Sequence, residues 1–315
     1  MKKLWIALVL LVYLAMILTA PPGNAILHLE NDELVAPPFA NKVSITESGD
    51  DRIVESNGVP HHRIGLFPGP GNPNTLREQD YHFRIPLHPR DTGHDTSIEN
   101  VRLFGVALDG VVFDPGTAAY WHFDSAWHVE AIVQGRRDLG IDLSNAHVQP
   151  NGAYHYHGLP TGLIQELGDD TKMKLIGWAA DGYPIYNQLA YRDASDPSSP
   201  LVKLRSSYRL KEGNRPDGFS GPGGTCDGTY TADYEYAPGS GDLDENNGRS
   251  GVTPEFPQGT YYYVLTDSFP YIPRSFKGIP DPSFAAHGHL GGGPPGGPGG
   301  PGGPPGFQPP PPPPF

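Results

Sequence analysis

The stretch Asn151-Gly-Ala-Tyr-His-Tyr-His-Gly-Leu-Pro160 alternates phenol and imidazole side chains at its centre. Successive side chains of an extended strand point to opposite faces of a sheet. Tyr154 and Tyr156 therefore share one face, and His155 and His157 share the other. The pattern predicts a short β-strand that presents two imidazoles side by side.

A third histidine, His147, precedes His155 by eight residues, across the turn-prone segment Gln149-Pro-Asn-Gly152. Imidazole suits copper and zinc, and three protein ligands are typical of catalytic zinc sites. We therefore expect a copper or zinc site made of His147, His155 and His157. The alternative interpretation is structural, with these histidines hydrogen-bonded to backbone or carboxylate groups.

Five further side chains are expected to pack behind this site or to line its approach. They are Tyr154, Tyr156, Asn151, Trp178 and Asp181. A glycine follows Asp181, so we interpret it first as a turn residue, although a carboxylate near a metal-bound water also serves as a general base. His122 and His128 are weaker metal candidates, because their spacing of six residues fixes no geometry.

An acidic loop further along the chain places oxygen-bearing side chains at alternate positions, namely Asp242, Asp244 and Asn246. An EF-hand is excluded, because that loop needs glycine at its sixth position and glutamate at its twelfth, where this chain has Asn247 and Thr253. An irregular calcium site and a plain acidic turn remain as alternatives.

Residues 1–25 have the pattern of a signal peptide, with basic Lys2 and Lys3, an apolar run over residues 4–18 and small residues near the end. This pattern predicts a secreted, periplasmic or cell-surface protein. The alternative is an uncleaved N-terminal anchor. No second long apolar run follows, so we expect no stable membrane span after cleavage.

The chain is acidic, with a formal net charge of −13. Loss of residues 1–25 removes two lysines and no acidic residue, which takes this charge to −15. Such a charge argues against nucleic acid or an anionic membrane as a partner and favours a metal ion or a small molecule. Cys226 is the single cysteine, so no intramolecular disulfide forms, and a bound metal is a candidate for stabilising the fold.

The composition divides the rest of the chain into three parts. Residues 26–76 are weakly patterned, apart from an alternating edge-strand pattern at residues 42–47. Residues 77–290 are expected to form the main domain. Residues 291–315 consist almost entirely of glycine and proline and are expected to be a disordered tail, whose proline run offers a docking segment for a protein partner.

Frequent glycine and proline and many short β-type runs predict a mainly β fold with few helices, that is, a β-rich α+β class. The clearest predicted strands are Val101–Ala107, Lys174–Ala179 and Thr260–Leu265. The best helix candidate is Ser125–Leu139, in which Ser125 would be the N-cap and apolar residues recur on one face.

Two pairs of similar segments suggest an internal duplication. Tyr81–Pro86 resembles Tyr154–Pro160, and Gly105–Gly110 matches Gly177–Gly182, at offsets of 73 and 72 residues. Each unit would be a strand with an aromatic–histidine motif followed by a strand that ends in an Asp-Gly turn. The histidine pair, and therefore the metal site, would belong to the second copy.

Two other classes of function remain open. The tyrosines, together with Trp121, Trp127 and Trp178, would suit a surface-associated module that binds a glycan or polymer, with structural histidines. A secreted metal-dependent hydrolase is the second alternative. The sequence has no Gly-x-Ser-x-Gly motif and no His-Glu-x-x-His motif, so no catalytic residues are assigned.

Residues 145–158 resemble the signature of the YHYH domain family, which is named after the tetrapeptide at residues 154–157. The further blocks that resemble this family are residues 109–121, 177–186, 241–249, 253–266 and 269–274. The resemblance covers about residues 80 to 282. It implies that the histidine strand belongs to a domain-wide pattern, and it implies no reaction class.

Overall fold

The computed structural model describes residues 31–137 and 139–288. The predicted signal peptide and the predicted disordered tail lie outside the described residues, as do residues 26–30. Within the described part, the chain is mainly β with few helices, as predicted. None of the helices found there has the length and apolarity needed to cross a membrane.

Most elements of the described part are short. The strands are β1 (Val43–Ser48), β2 (Asp51–Ser56), β3 (Tyr81–Pro86), β4 (Thr96–Ser97), β5 (Gly105–Ala107), β6 (Val112–Phe113), β7 (Ile132–Val133), β8 (Arg136–Arg137), β9 (Ala146–Val148), β10 (Tyr154–Tyr156), β11 (Leu175–Ala179), β12 (Pro184–Tyr186), β13 (Leu189–Tyr191), β14 (Leu201–Lys203), β15 (Tyr208–Leu210), β16 (Tyr234–Tyr236), β17 (Gly248–Gly251), β18 (Thr260–Val264) and β19 (Ser275–Phe276). The α-helices are α1 (Thr161–Glu166) and α2 (Ser283–Gly288), and 3-10 turns cover Ile98–Asn100, Trp121–Phe123, Ser125–Trp127 and Thr231–Asp233.

The first sheet is an antiparallel meander of β1, β2 and β3, with the predicted edge strand confirmed as β1. Its inner side chains Val54, Phe83 and Ile85 are buried in the same apolar cluster as Tyr154 and Tyr156 of β10. Part of the weakly patterned segment therefore belongs to the same apolar core as the tyrosines of the histidine strand.

The second sheet has eight strands in the order β17-β18-β12-β11-β5-β6-β10-β9. The sheet consists of two halves of four strands each, β5-β6-β10-β9 and β11-β12-β18-β17. They meet at the antiparallel pair β5–β11, where Val106 lies opposite Trp178. In each half, the second and third strands run parallel and the other neighbours run antiparallel. The sheet is therefore built with an internal two-fold arrangement.

The register of the two halves is the same residue for residue. Phe113 pairs with Tyr156 in one half, and Ile185, which lies 72 positions after Phe113, pairs with Tyr263 in the other. The resulting equivalences are Tyr154 with Tyr261, His155 with Tyr262, Tyr156 with Tyr263, His157 with Val264, and His147 with Arg249.

This arrangement confirms one predicted match of the duplication and corrects the other. Gly105–Gly110 and Gly177–Gly182 are equivalent, as predicted. Tyr81–Pro86 is not the counterpart of Tyr154–Pro160, because it forms β3 in the other sheet. The true counterpart is residues 261–264, which keep the aromatic face but no histidine. The histidine site therefore belongs to the first half of the sheet, not to the second copy.

The predicted helix over Ser125–Leu139 is wrong. Only Ser125–Trp127 is helical, as a 3-10 turn whose N-cap is Asp124, and the chain then forms the β7–β8 hairpin. Gln134 and Gly135 have positive φ angles of 48° and 80° at the hairpin turn, which ends any helix there. β-branched residues before this turn fit the strand better than the helix.

The predicted strands fared better. Lys174–Ala179 and Thr260–Leu265 are confirmed by β11 and β18. The strand predicted at Val101–Ala107 begins only at Gly105, because Arg102 has a φ of 64° and follows a 3-10 turn. Apolar residues at positions 101, 103 and 104 are buried there without being part of a strand.

Candidate metal centre

The histidine site is carried by the β9–β10 hairpin. Its two strands pair so that His147 lies directly opposite His155. The turn between them closes by hydrogen bonds from the amide of Gly152 to the carbonyl of Gln149 and from the amide of Gln149 to the carbonyl of Ala153. Gly152 has a φ of 90°, a conformation that glycine adopts at little cost. The turn predicted from the sequence therefore sets the register that brings the histidines together.

Three Nε2 atoms converge on this face of the sheet. The Nε2 atom of His157 lies 2.9 Å from that of His155 and 3.2 Å from that of His147. Among the described residues, these three form the group whose ligand atoms all lie within 4.8 Å of one another. Tetrahedral ligands at zinc–nitrogen distances of 2.0–2.1 Å are separated by roughly 3.3 Å, so the spacing suits such an ion.

Backbone carbonyls orient two of the rings. Nδ1 of His147 donates to the carbonyl of Leu139 at 2.8 Å, and Nδ1 of His155 faces the carbonyl of Ala153 at 3.2 Å. A carbonyl only accepts hydrogen bonds, so these Nδ1 atoms carry the ring hydrogen and the lone pair is left on Nε2. Such partners on the far nitrogen are typical of metal-binding histidines. Nδ1 of His157 is buried without a hydrogen-bond partner among the described residues.

Burial favours the neutral form of the three imidazoles. It lowers the pKa of His147 and lowers the pKa of His155 and His157 well below the usual histidine value. Mutual repulsion of the protonated rings adds to this effect at His155 and His157. His155 and His157 are almost completely buried, whereas His147 is partly exposed. Neutral rings offer their lone pairs to a metal without first losing a proton.

The phenols of the same strand anchor it from the opposite face. The hydroxyl of Tyr156 donates to Asp109 at 2.7 Å and lies 2.7 Å from Nε2 of His62. The hydroxyl of Tyr154 donates to Asp142 at 2.8 Å. Burial raises the pKa of both carboxyl groups. Tyr154 and Tyr156 therefore lie on the face of β10 opposite the histidines and fix the strand that carries two of them.

One acidic side chain beside the triad was missed by the sequence analysis. Asp114 follows β6, and its amide donates to the carbonyl of Tyr156, which places it next to His157. Its carboxylate accepts hydrogen bonds from the side chain of Gln149 and the amide of Gly116. Burial raises the pKa of Asp114 to about 6. Only the parallel pairing of β6 with β10 brings it here, and short sequence motifs carry no signal for that pairing.

The remaining predicted lining residues lie in the turn of the histidine hairpin and in the other half of the sheet. Asn151 caps the hairpin turn by accepting from the amide of Ala153. Trp178 is buried at the centre of the sheet with the guanidinium of Arg52 3.5 Å above its ring. Asp181 accepts from Tyr263 at 2.6 Å, as the counterpart of Asp109 in the other half. These contacts give each of the three side chains a structural role.

The weaker histidine candidates are not part of the group of three. His122 is exposed and stacks on Trp121 with ring centres 4.2 Å apart. His128 places its Nδ1 3.2 Å from the carbonyl of Thr117. A metal-binding role for either residue stays a prediction.

The acidic loop repeats a turn that the first half of the sheet also has. Asp244 accepts from the amides of Asn246 and Gly248, as Asp142 accepts from the amides of Ser144 and Ala146. The other members of the loop point to different partners: Asp242 pairs with Arg205, and Asn246 bonds to Asp95 and Ser275. A calcium site near Asp242, Asp244 and Asn246 stays a prediction, and the plain turn accounts for these contacts.

Comparison with known proteins places the chain in a family. Residues 82–278, more than half of the chain, match the family described as YHYH protein. The matched range contains both halves of the eight-stranded sheet and all three histidines. No curated protein and no solved structure matched the chain. The chain therefore belongs to the YHYH protein family, and the tetrapeptide of that name is the strand segment that brings His155 and His157 to one face of its central sheet.

Proposed function

We propose that the protein is exported and binds one transition-metal ion, copper or zinc, through His147, His155 and His157. The observation that carries the proposal is the convergence of three Nε2 atoms, with the Nδ1 atoms of two rings turned toward backbone carbonyls. The signal-like pattern of residues 1–25 supports a secreted, periplasmic or cell-surface location.

The chemistry of the donors supports these two ions. Neutral imidazole is a borderline ligand that suits copper and zinc, whereas magnesium and calcium prefer oxygen. Of the three histidines, His147 is the one that is partly exposed, so an ion would enter from its side. Three protein ligands leave one coordination position for water or a small molecule. The bound ion would supply Lewis-acid or redox chemistry at that position.

Asp114 supports metal-dependent hydrolysis as a second candidate function. A carboxylate whose pKa is raised to about 6 lies in the range useful for proton transfer near neutral pH. The register of β6 and β10 places this residue beside His157. The test is hydrolysis of a panel of ester and amide substrates. A chelator and Asp114→Asn should each abolish turnover, while the Asn variant keeps its metal.

The aromatic side chains support the glycan-binding alternative less well than the histidines support metal binding. Trp178 is covered by Arg52 and is not free to stack on a sugar ring. Phe123 and Phe219 are fully solvent-facing, at 92% and 106% relative exposure. Binding to insoluble polysaccharide that survives both a chelator and the loss of His155 and His157 would favour this alternative.

The decisive experiment measures metal content by mass spectrometry. The full-length chain is purified without chelator or histidine tag, then incubated with copper or zinc and desalted. We expect about one ion per chain in the wild type and almost none in the double variant His155→Ala/His157→Ala. His82→Ala is the matched control, because His82 is a half-exposed histidine on β3 that pairs with Asp80.

Thermal unfolding gives a second readout. A ligand that binds only the folded protein stabilises it by about 2.7 kcal/mol at a free concentration of 100 times its dissociation constant. The midpoint of unfolding should therefore rise with added metal in the wild type and in His82→Ala, and not in the double variant. Equal metal content in all three proteins, or none in the wild type, would overturn the proposal.

A further inference from the structure

A chain of three buried polar side chains lies behind the histidine strand, on the face of β10 opposite the triad. The hydroxyl oxygen of Tyr156 lies 2.7 Å from Oδ2 of Asp109 and 2.7 Å from Nε2 of His62. Asp109 is 1% exposed and His62 is 4% exposed. Such distances are those of hydrogen bonds, so each of the two contacts needs a hydrogen of its own.

The hydrogens that these groups normally carry at neutral pH are too few for both contacts. A phenol has one hydrogen, and an ionised carboxylate has none. A neutral imidazole also has one, and in His62 it lies on Nδ1, because this atom is 2.7 Å from the carbonyl oxygen of Arg63. One further hydrogen is therefore required, either on Nε2 of His62 or on the carboxyl group of Asp109. In both cases the chain has no net charge, which suits a buried site.

The equivalent tyrosine in the other half of the sheet has no such requirement. The hydroxyl of Tyr263 donates to Asp181 at 2.6 Å, and it accepts from the backbone amide of Lys277 at 2.7 Å. An amide hydrogen is permanent, so both contacts are made there without an additional proton. His62 takes the place of that amide in the half of the sheet that carries the triad. At this position, therefore, the donor is titratable in the first half and permanent in the second.

The neighbouring polar groups, among the described residues, do not supply the missing hydrogen. Tyr154, whose ring centre is 6.2 Å from that of His62, donates its hydroxyl hydrogen to Asp142 at 2.8 Å. Asp142 also accepts from three backbone amides, so its charge is already compensated by donors. The hydroxyl of Ser144 is 3.5 Å from Nδ1 of the imidazole, too far to compete with the carbonyl at 2.7 Å. His61 is exposed to solvent and lies outside the chain.

We propose that Asp109, Tyr156 and His62 form a buried site that binds one proton at neutral pH, and that this proton fastens the connection between β2 and β3 to the histidine strand. The inference does not depend on the proposed metal site. When the proton leaves, the phenol can donate to only one of its two neighbours, and the other contact is lost. An unfolded chain holds no such proton above about pH 6.5, the usual pKa of histidine. Folding therefore takes up a proton in this range, and the folded state becomes less stable as the pH rises.

The test measures denaturant unfolding of the full-length chain at intervals between about pH 6.5 and pH 8, with a chelator present. The unfolding equilibrium constant of the wild type should rise by up to about ten-fold per pH unit, which corresponds to one proton. The triad does not contribute in this range, because burial lowers the pKa of each of its histidines. Burial raises the pKa of Cys226, so the range ends at pH 8, below the pKa of about 8.5 that its thiol has in the unfolded chain.

Two conservative variants supply the second hydrogen without an additional proton. The side-chain amide of His62→Gln can donate to the phenol, and that of Asp109→Asn can donate to it from the opposite end. Both variants should make the unfolding constant nearly independent of pH in this range. Tyr263→Phe is the matched control from the other half of the sheet and should keep the wild-type slope. A wild type without pH dependence here would overturn the inference even if a variant does not fold, and so would equal slopes in the wild type and both variants.

Discussion

At the scale of single residues, the site depends on which nitrogen of each ring carries its hydrogen. His147 and His155 face carbonyls with Nδ1, so their Nε2 lone pairs point at the third ring. In the metal-free protein, a hydrogen on Nε2 of His157 is needed to bridge the two lone pairs. A bound metal ion would take the place of that hydrogen, which would move to Nδ1 of the same neutral ring. In the metal-free protein, the three rings should therefore stay this close together only when they are neutral.

The first prediction concerns the pH dependence of the metal-free protein. Burial puts the pKa of His155 well below that of the unfolded chain, which is about 6.5. The unfolded state then binds more protons as the pH falls below about 6.5, so the free energy of unfolding decreases with acidification. His155→Gln should lose this contribution. Denaturant titrations of both proteins with a chelator, from pH 8 to pH 5, measure the difference, and parallel pH profiles would refute it.

A second prediction compares equivalent tyrosines in the two halves of the sheet, so that one half is the control for the other. Tyr156→Phe leaves buried Asp109 without its phenol donor, and Tyr263→Phe does the same to Asp181. Each change should cost about 1–3 kcal/mol of unfolding free energy. Only Tyr156→Phe should also weaken metal binding, because its strand carries the ligands. Metal affinity measured by competition with a chelator decides the point, and equal losses in the two variants would count against an anchoring role for Tyr156.

At the scale of elements, alternation and turn chemistry carried most of the information. The period of two in residues 154–157 correctly assigned the two faces of β10, and the proline–glycine turn correctly placed His147 near His155. The prediction of a helix over Ser125–Leu139 was wrong because it gave more weight to the apolar spacing than to the turn residues Gln134 and Gly135. Asp114 and His62 were missed because a parallel neighbour and a distant loop bring them to the strand, and local patterns contain no trace of either contact.

The third prediction tests the turn of the hairpin. A Cβ atom at Gly152 would lie 2.6 Å from both Cβ and Cγ of Arg77, in addition to the strain of a φ of 90°. Gly49 is the control, since its φ is 63° and a Cβ there meets nothing within 4 Å. Gly49→Ala should cost about 1–2 kcal/mol of unfolding free energy, the strain alone. Gly152→Ala should cost more and reduce metal content, and equal effects in both measurements would contradict the prediction.

At the scale of the whole molecule, the central sheet joins two copies of one four-strand unit around the pair Val106–Trp178. The sequence revealed one of the two matching segments, since Asp-Gly turns need particular residues at fixed positions. It pointed to the wrong partner for the histidine strand because Tyr81–Pro86 shares its aromatic–histidine pattern, while residues 261–264 share its position and its two tyrosines but contain no histidine. Equivalence in the sheet depends on hydrogen-bond register, which a pair of short matches does not record.

Because the two halves of the sheet are equivalent, the second half could serve as the scaffold for an engineered metal site. Arg249 lies opposite Tyr262 as His147 lies opposite His155, and Val264 occupies the place of His157. The triple change Arg249→His, Tyr262→His and Val264→His would reproduce the donor set on a backbone that already has the required spacing. We expect the metal content of this variant to rise from about one ion per chain to about two. A variant that folds and still binds one ion would mean that the triad needs its surroundings, such as Asp114, as much as its strands.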